Sequence, residues 1–395
     1  MERLVVTGMG AVTPIGIGVE NYWNNLVDGK CGIAEIPDWN LDVKIAAMCK
    51  DFDPIDFMPK RKSQEMSRII QLAYAASEEA IEMSGLADDS SRIGITVGTA
   101  LDGFEYITKS QKKYDEAELQ RTDPRLLTKS LGNICACQVA MAHQFRGPSM
   151  TVNTACASGG DAVALAGMMI NAGMADSMLV IGAESPIDVI LMLSLIHTKA
   201  LSPTGARPFD ESRDGFVVGE GGGALVIEKE ETALARGAKI LGVVAGWGNN
   251  SDGYNVVAPR PDGTGEVECV KQALDMAGIG PEEMGYINAH GTATGKGDEI
   301  EAETIANVFG KEVITGSTKG ATGHMMGAGG ITEIITCIKA IETGIIPPTL
   351  GLEHPLTDEV SFVKNKPVNK HIDYAMSDAF GFGGQNSCVI LRRYK

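Results

Sequence analysis

The chain predicts a layered α/β fold built from two similar halves, on three observations. Ala80-Ile81-Glu82-Met83-Ser84-Gly85-Leu86 matches Ala273-Leu274-Asp275-Met276-Ala277-Gly278-Ile279, and Gly98-Thr99-Ala100 recurs as Gly291-Thr292-Ala293, both at an offset of 193 residues (276 − 83 and 291 − 98). Short apolar runs alternate with segments of helical periodicity, the pattern of sheets covered by helices. The length of 395 residues, 44% of them hydrophobic and 22% charged, suffices for two half-domains with substantial cores.

The elements follow in order. Residues 4–10 read as a strand entered directly from the N-terminus, loosely matched by residues 240–246. Apolar residues at helical spacing predict a helix over 68–84, and Gly85 behind it is a C-cap signal. A β-rich run at 93–97 follows a short polar turn. Small residues around Cys156 open a helix over 161–171, and the apolar runs 176–184 and 223–228 read as strands. In the second half a helix over 267–277, Gly278 and a strand over 286–289 repeat the earlier order, and a last helix covers 330–344. The boundary falls near Ala235-Arg236-Gly237, giving halves 1–235 and 236–395 within one compact body.

A formal net charge of −17 argues against nonspecific nucleic-acid binding, which needs a basic surface. No charged-then-apolar leader opens the chain and no apolar run reaches transmembrane length, so no membrane role is expected and the cytoplasm is the expected compartment. The eight cysteines lack the paired spacing of a zinc site, and reduced thiols are expected. Most read as small buried hydrophobes, Cys135 and Cys137 among them.

Cys156 is different. It lies in Val152-Asn153-Thr154-Ala155-Cys156-Ala157-Ser158-Gly159-Gly160, at the start of a helix, where unpaired N–H groups and the helix dipole favour thiolate over thiol. His290, in Asn288-Ala289-His290-Gly291-Thr292, and His324, in Ser317-Thr318-Lys319-Gly320-Ala321-Thr322-Gly323-His324, occupy glycine-rich strand-to-loop contexts. One activatable thiol and two such histidines suit acyl-thioester chemistry. Lone histidines are usually satisfied in the core or at the surface, and His143, His197, His354 and His371 are read so.

These motifs, with Phe380-Gly381-Phe382-Gly383-Gly384, Arg207-Pro208-Phe209-Asp210 and the opening Val5-Val6-Thr7-Gly8-Met9-Gly10, resemble the β-ketoacyl-[acyl carrier protein] synthases of the elongating, type II group. The likeness runs through the chain in order. It implies the thiolase fold, a duplicated five-layer α-β-α-β-α architecture, and an acyltransferase. The reaction implied is decarboxylative Claisen condensation of a cysteine-bound acyl chain with malonyl-[acyl carrier protein] in fatty-acid elongation. Specialised type II polyketide or polyene synthesis, with a chain-length-factor partner, is the alternative. A noncatalytic chain-length subunit is opposed by Cys156, both histidines and Lys319. An initiating synthase, which pairs His with Asn, is opposed by the second histidine.

The resemblance also implies roles. Cys156 is the nucleophile, His290 and His324 stabilise the enolate, and Lys319 with Glu333 forms their polar support. Phe382 gates the acyl chain, and its N–H joins that of Cys156 as oxyanion donor. Thr292 and Thr294 bind the pantetheine arm, and Leu101 and Leu195 line the acyl pocket. No cofactor is implied beyond the phosphopantetheine that carries the substrates. Acyl carrier protein is the expected partner, and a homodimer the expected assembly. Carriers are acidic, so Arg61 and Lys62, with Lys60 and Arg68 nearby and Lys199 on the access side, are docking candidates. The family's basic cluster continues where this chain has Gln64 and Glu65. Gly320, Gln385 and a short 202–206 segment also depart from common family patterns, leaving acyl length and pathway open.

Overall fold

A computed structural model describes residues 2–37, 39–116 and 123–395. The first half contributes β1 (Leu4–Thr13), α1 (Arg68–Ser84), β2 (Ile93–Gly98), β3 (Ser149–Val152), α2 (Ser158–Asn171), β4 (Ser177–Glu184), α3 (Val189–His197) and β5 (Gly221–Lys229). The second contributes β6 (Gly242–Ser251), α4 (Thr264–Ala277), β7 (Tyr286–Asn288), α5 (Gly295–Phe309), β8 (Ile314–Gly316), α6 (Met326–Thr343), β9 (Tyr374–Gly381) and β10 (Gln385–Arg392).

Strand order exposes the duplication. The first half runs β3-β2-β4-β5-β1 and the second β8-β7-β9-β10-β6. Directions match as well: the first three strands of each row are parallel and the next two join antiparallel. The rows meet where Leu4, Val5 and Val6 pair with Val244, Val243 and Gly242.

Glycines set the layer spacing. A Cβ on Gly8 or Gly10 would lie 2.1 or 1.9 Å from the carbonyl oxygens of Ala80 or Ala76, so α1 rests on the backbone of β1. Gly246 and Gly248 meet Ala273 and Cys269 of α4 in the same way, at 2.7 and 2.0 Å. Between the rows lie α2 and α6, which touch each other and strands of both halves. Gly159 faces the Gly327 carbonyl there, where a Cβ would come within 2.7 Å. The result is the five layers implied by the family resemblance.

Helix α1 has the expected bounds, and Gly85 and Gly278 close α1 and α4 in the left-handed conformation at φ 64° and 68°. Both central helices start earlier than periodicity suggests, because their first turns hold glycines that only tertiary packing stabilises. Strand β6 begins and ends later than residues 240–246, which aligns Gly8 with Gly246. Cys135 is buried, but Cys137 is exposed. Both sit on the helix Asn133–His143, where residues two apart point about 200° from one another. Among the described residues no helix is long and apolar enough to cross a membrane.

Candidate active site

Cys156 does not occupy a helix start as such. It lies in the one-turn 3-10 segment Ala155–Ala157, which runs straight into α2. Ala155 before it has φ 51°, a left-handed conformation that is costly for a non-glycine residue. The turn is pegged by Ser158, whose Oγ accepts from Thr154 N–H (2.9 Å) and donates to the Ala155 carbonyl (2.6 Å). At Gly381, where β9 ends, a Cβ would approach Cys156 N to 3.1 Å, so the strand end passes close against the cysteine turn.

The expectation of a ready-made thiolate is corrected by burial. The thiol opens onto a cavity but is otherwise enclosed by protein. Loss of water pushes it up to about 11, against the opposing pull of the Lys319 charge and the backbone N–H groups of Phe382 and Cys156. At neutral pH the free site therefore holds a thiol. Its proton has an acceptor at hand: His324 Nε2 lies 3.0 Å from Sγ.

The two histidines reach the site from the second half. His324 precedes α6 by two residues, as Cys156 precedes α2, so thiol and imidazole hold equivalent places in the duplication (326 − 324 and 158 − 156). His324 N–H donates to the Val217 carbonyl at 2.7 Å. His290 follows β7, with its ring edge-to-face against His324 at 5.3 Å and 86°. One side-chain atom from each of Cys156, His290 and His324 lies within 4.8 Å of the others. Among the described residues this is the one grouping with metal-holding geometry, and a soft cation there would occupy the thiol. Burial first, and then the Lys319 charge, hold both histidines well below the usual range, so both rings are neutral.

Lys319 and Glu333 form a buried ion pair, at 2% and 3% side-chain exposure. The acid that sequence alone left open to an exposed role is thus a buried counterion on α6. Burial raises its pKa, and Lys319 opposes the rise.

A cavity of about 430 Å³ joins Cys156, both histidines, Leu101, Leu195, Thr292, Thr294 and Phe382. Thr292 and Thr294 hydroxyls are 3.1 Å apart. Leu195 is carried by α3, whose first turn is capped by Asp188, the carboxylate accepting from Ile190 N–H at 3.0 Å. Arg61 and Lys62 lie elsewhere, on the short helix Lys60–Gln64. Arg61 is almost fully exposed. Lys62 sets its Nζ 3.8 Å above the Tyr74 ring. Arg68 is committed inward, to Glu220 at 2.8 Å and the Cys49 carbonyl at 2.9 Å, which removes it from the docking candidates. Lys199, exposed, follows directly on Thr198, which lines the cavity.

Sequence reasoning missed the buried acids. Glu184 accepts from the N–H groups of Ala100 (2.8 Å), Leu101 (3.1 Å) and Gly327 (3.2 Å), tying the Leu101 wall to the start of α6. Glu301 and Asp378 stand behind His290. Asp298 and Glu301 fall on the face of α5 that also buries Ala302 and Ile305, a helical-spacing signal that could have marked them.

The chain matches the family descriptions "Beta-ketoacyl synthase, N-terminal domain" over residues 1–233 and "Beta-ketoacyl synthase, C-terminal domain" over 241–353, and it belongs to the β-ketoacyl synthase family. It is 36% identical, over 99% of both chains, to 3-oxoacyl-[acyl-carrier-protein] synthase 2 of Vibrio cholerae. The protein of the same name from Synechocystis is 34% identical over 100% of this chain and 99% of that one. Among solved structures, the ishigamide ketosynthase/chain length factor superposes with a TM-score of 0.94 at 31% identity, covering both chains fully. The complex of AntDE with AntF, a type II polyketide synthase acyl-carrier protein with its ketosynthase, gives 0.90 at 27% identity, also with full coverage of both chains.

Proposed function

We propose that this chain is an acyltransferase that condenses a Cys156-bound acyl chain with malonyl-[acyl carrier protein], releasing carbon dioxide and 3-oxoacyl-[acyl carrier protein], in fatty-acid elongation. The observation that carries the reading is the Cys156–His324 contact of 3.0 Å beside the His290 ring, in an enclosed cavity. Residues 1–235 supply the nucleophile and 236–395 the His-Lys-His set.

In the first half-reaction His324 takes the thiol proton as Sγ attacks the acyl thioester carbonyl. The resulting oxyanion faces the N–H groups of Cys156 and Phe382, collapse expels the pantetheine thiolate, and that thiolate takes the proton. In the second, the malonyl thioester carbonyl lies between His290 and His324. Carbon dioxide leaves, the imidazoles stabilise the enolate oxygen, and the enolate carbon attacks the acyl-Cys156 carbonyl, freeing the thiolate. Lys319 supports this by keeping both rings neutral, and Glu333 balances its charge. Thr292 and Thr294 suit the pantetheine arm, Leu101 and Leu195 the acyl chain, and Phe382, 38% exposed at the cavity mouth, its gate.

The substrates arrive on the phosphopantetheine of an acidic carrier, for which Arg61, Lys62 and Lys199 are the docking cations. A second chain completes the assembly. Among the described residues strand β3 is an uncovered, exposed sheet edge, whereas the equivalent edge β8 is covered by Ser361–Phe362. Exposed edges of this kind invite strand addition, and a homodimer across β3 is the reading. The cytoplasm, a reducing compartment, fits eight free cysteines.

A specialised polyketide or polyene ketosynthase, paired with a chain-length factor across the same edge, is the second reading, favoured by the match to the ishigamide protein. Turnover with saturated and polyunsaturated acyl carriers, alongside native mass spectrometry, decides between them. Condensation of saturated chains by the protein alone supports elongation, and activity only with polyenoyl carriers and a second subunit overturns it. Failure to condense any carrier-bound acyl chain overturns both.

A further inference from the structure

We propose that Asp378 and Glu301 share a single proton behind His290, and that this singly charged acid pair clamps the His290-Gly291 backbone, which makes Asp378 a positioning residue for the reaction. The inference rests on the condensing-enzyme reading for its catalytic consequence.

The geometry leaves little choice. Glu301 Oε1 and Asp378 Oδ1 both lie 2.6 Å from His290 N, which has one hydrogen to give. The other Glu301 oxygen accepts from Gly291 N–H at 2.7 Å. Sharing one N–H donor makes the two carboxyl groups close neighbours, and their residues are 2% and 1% exposed. Two anions so close, away from water and competing for one donor, are far less stable than one anion hydrogen-bonded to one acid. The cation whose charge acts on both acids, Lys319, is already paired with Glu333.

On the α5 side the Arg213 guanidinium stands 3.9 Å from Asp298 and is committed to that acid. From α4, Glu266 faces the pair and adds repulsion, and from α5 so does Asp298. From α6 comes the thiol of Cys337, and across the sheet from Asp378 stands the thiol of Cys388. Lys319, the backbone N–H groups and, for Asp378, the Glu301 carboxyl favour charge. Burial accordingly raises Asp378 to about 8, with Glu266 adding to the rise against the pull of Glu301, the His290 N–H and Lys319, while Glu301 is driven up by burial and by Asp378.

The consequence concerns His290. With one proton shared, Asp378 and Glu301 brace both ends of the His290-Gly291 peptide, which turns at φ 38° on Gly291. Once alkaline pH removes the shared proton, the carboxylates repel and the peptide loses its common anchor. Displacement of a reacting group by about 1 Å costs up to ~10²-fold in rate.

Asp378→Asn keeps the contact without the proton, its amide donating to Glu301 and its carbonyl accepting from His290 N–H. Infrared spectroscopy should resolve a protonated carboxyl band in the native protein that disappears in an alkaline titration and is missing from Asp378→Asn. With isotope-labelled histidine, the His290 resonance should move with the same midpoint in the native protein and stay still in the variant. Malonyl decarboxylation should fall on the alkaline side in the native enzyme, whereas Asp378→Asn retains its neutral-pH rate within about threefold and loses that alkaline limb. Asp378→Leu should lose about 10²-fold at every pH. An unchanged carboxyl band in Asp378→Asn, a His290 resonance indifferent to the band, or an alkaline limb kept in the variant overturns the proposal. A protein without decarboxylase activity overturns the functional reading instead, while the infrared and histidine measurements still decide the shared proton and the clamp.

Discussion

Replacing Lys319 with Met keeps most of the buried stem and deletes only the charge, which isolates the burden carried by Glu333. Both side chains are almost fully enclosed, so the variant strands a carboxylate with no counterion. Breaking a buried pair this way costs about 3–5 kcal/mol. The cost must depend on pH. Burial already raises the Glu333 pKa and Lys319 opposes it, so removing Lys319 raises it further above the unfolded value. The protonated acid then contributes stability that is present below the unfolded carboxyl range and is lost as pH rises through the folded one. Near pH ~5 the loss should shrink to about 1 kcal/mol, the worth of one hydrogen bond. Near pH ~8 the full ~3–5 kcal/mol should appear. Urea unfolding at both pH values measures the difference, and Lys319→Met/Glu333→Gln should recover most of the alkaline loss. Because the Lys319 charge helps to depress both histidines, the same variant should also move the acid limb of decarboxylation to higher pH. A destabilisation equal at both pH values, or a double variant no more stable than the single one, would refute the reasoning.

Further outcomes follow from the site and the docking candidates. Cys156→Ala should abolish covalent acylation and condensation yet keep malonyl decarboxylation, and an acylated variant on mass spectrometry would remove Cys156 as nucleophile. His290→Ala and His324→Ala should each slow decarboxylation by ~10²–10³; only the latter should also suppress alkylation of Cys156 at neutral pH, leaving reactivity that rises toward pH about 11, and near-normal carbon dioxide release from both would contradict their role. Arg61→Glu with Lys199→Glu should raise KM for carrier-bound substrates, lower its salt dependence and spare pantetheine thioesters. Lys62→Glu should add about 0.5–1 kcal/mol of instability through its lost contact with Tyr74, and equal effects on both substrate types would move docking elsewhere.

Much of this was legible in the residues because duplication writes the same grammar twice. The pair Gly85 and Gly278, each ending a helix in a left-handed residue, is local chemistry and could be read locally. Less legible were features fixed by distant partners. The starts of α2 and α6 hide behind glycines whose intrinsic preference is non-helical, and only the crossing of those helices makes them regular. Asp378 meets His290 across 88 residues of chain, and an acid beside an apolar run gives no sign that its partner is another acid. The thiol was misjudged for a related reason. A helix start is visible in sequence, but the desolvation that outweighs it belongs to the assembled cavity.

The central helices cross almost backbone to backbone, and two residues ahead of each stands one member of the thiol–imidazole pair. The seam of the molecule and its reactive centre are therefore one place. Neither half owns a workshop; each brings a single tool to a shared bench. The separation of Sγ and Nε2 becomes a gauge of how the halves are seated. A small slip along that seam, caused anywhere in the interior, is felt first at the bond to be made, and a bulky residue at Gly159 or Gly330 would detune the chemistry without approaching the substrate.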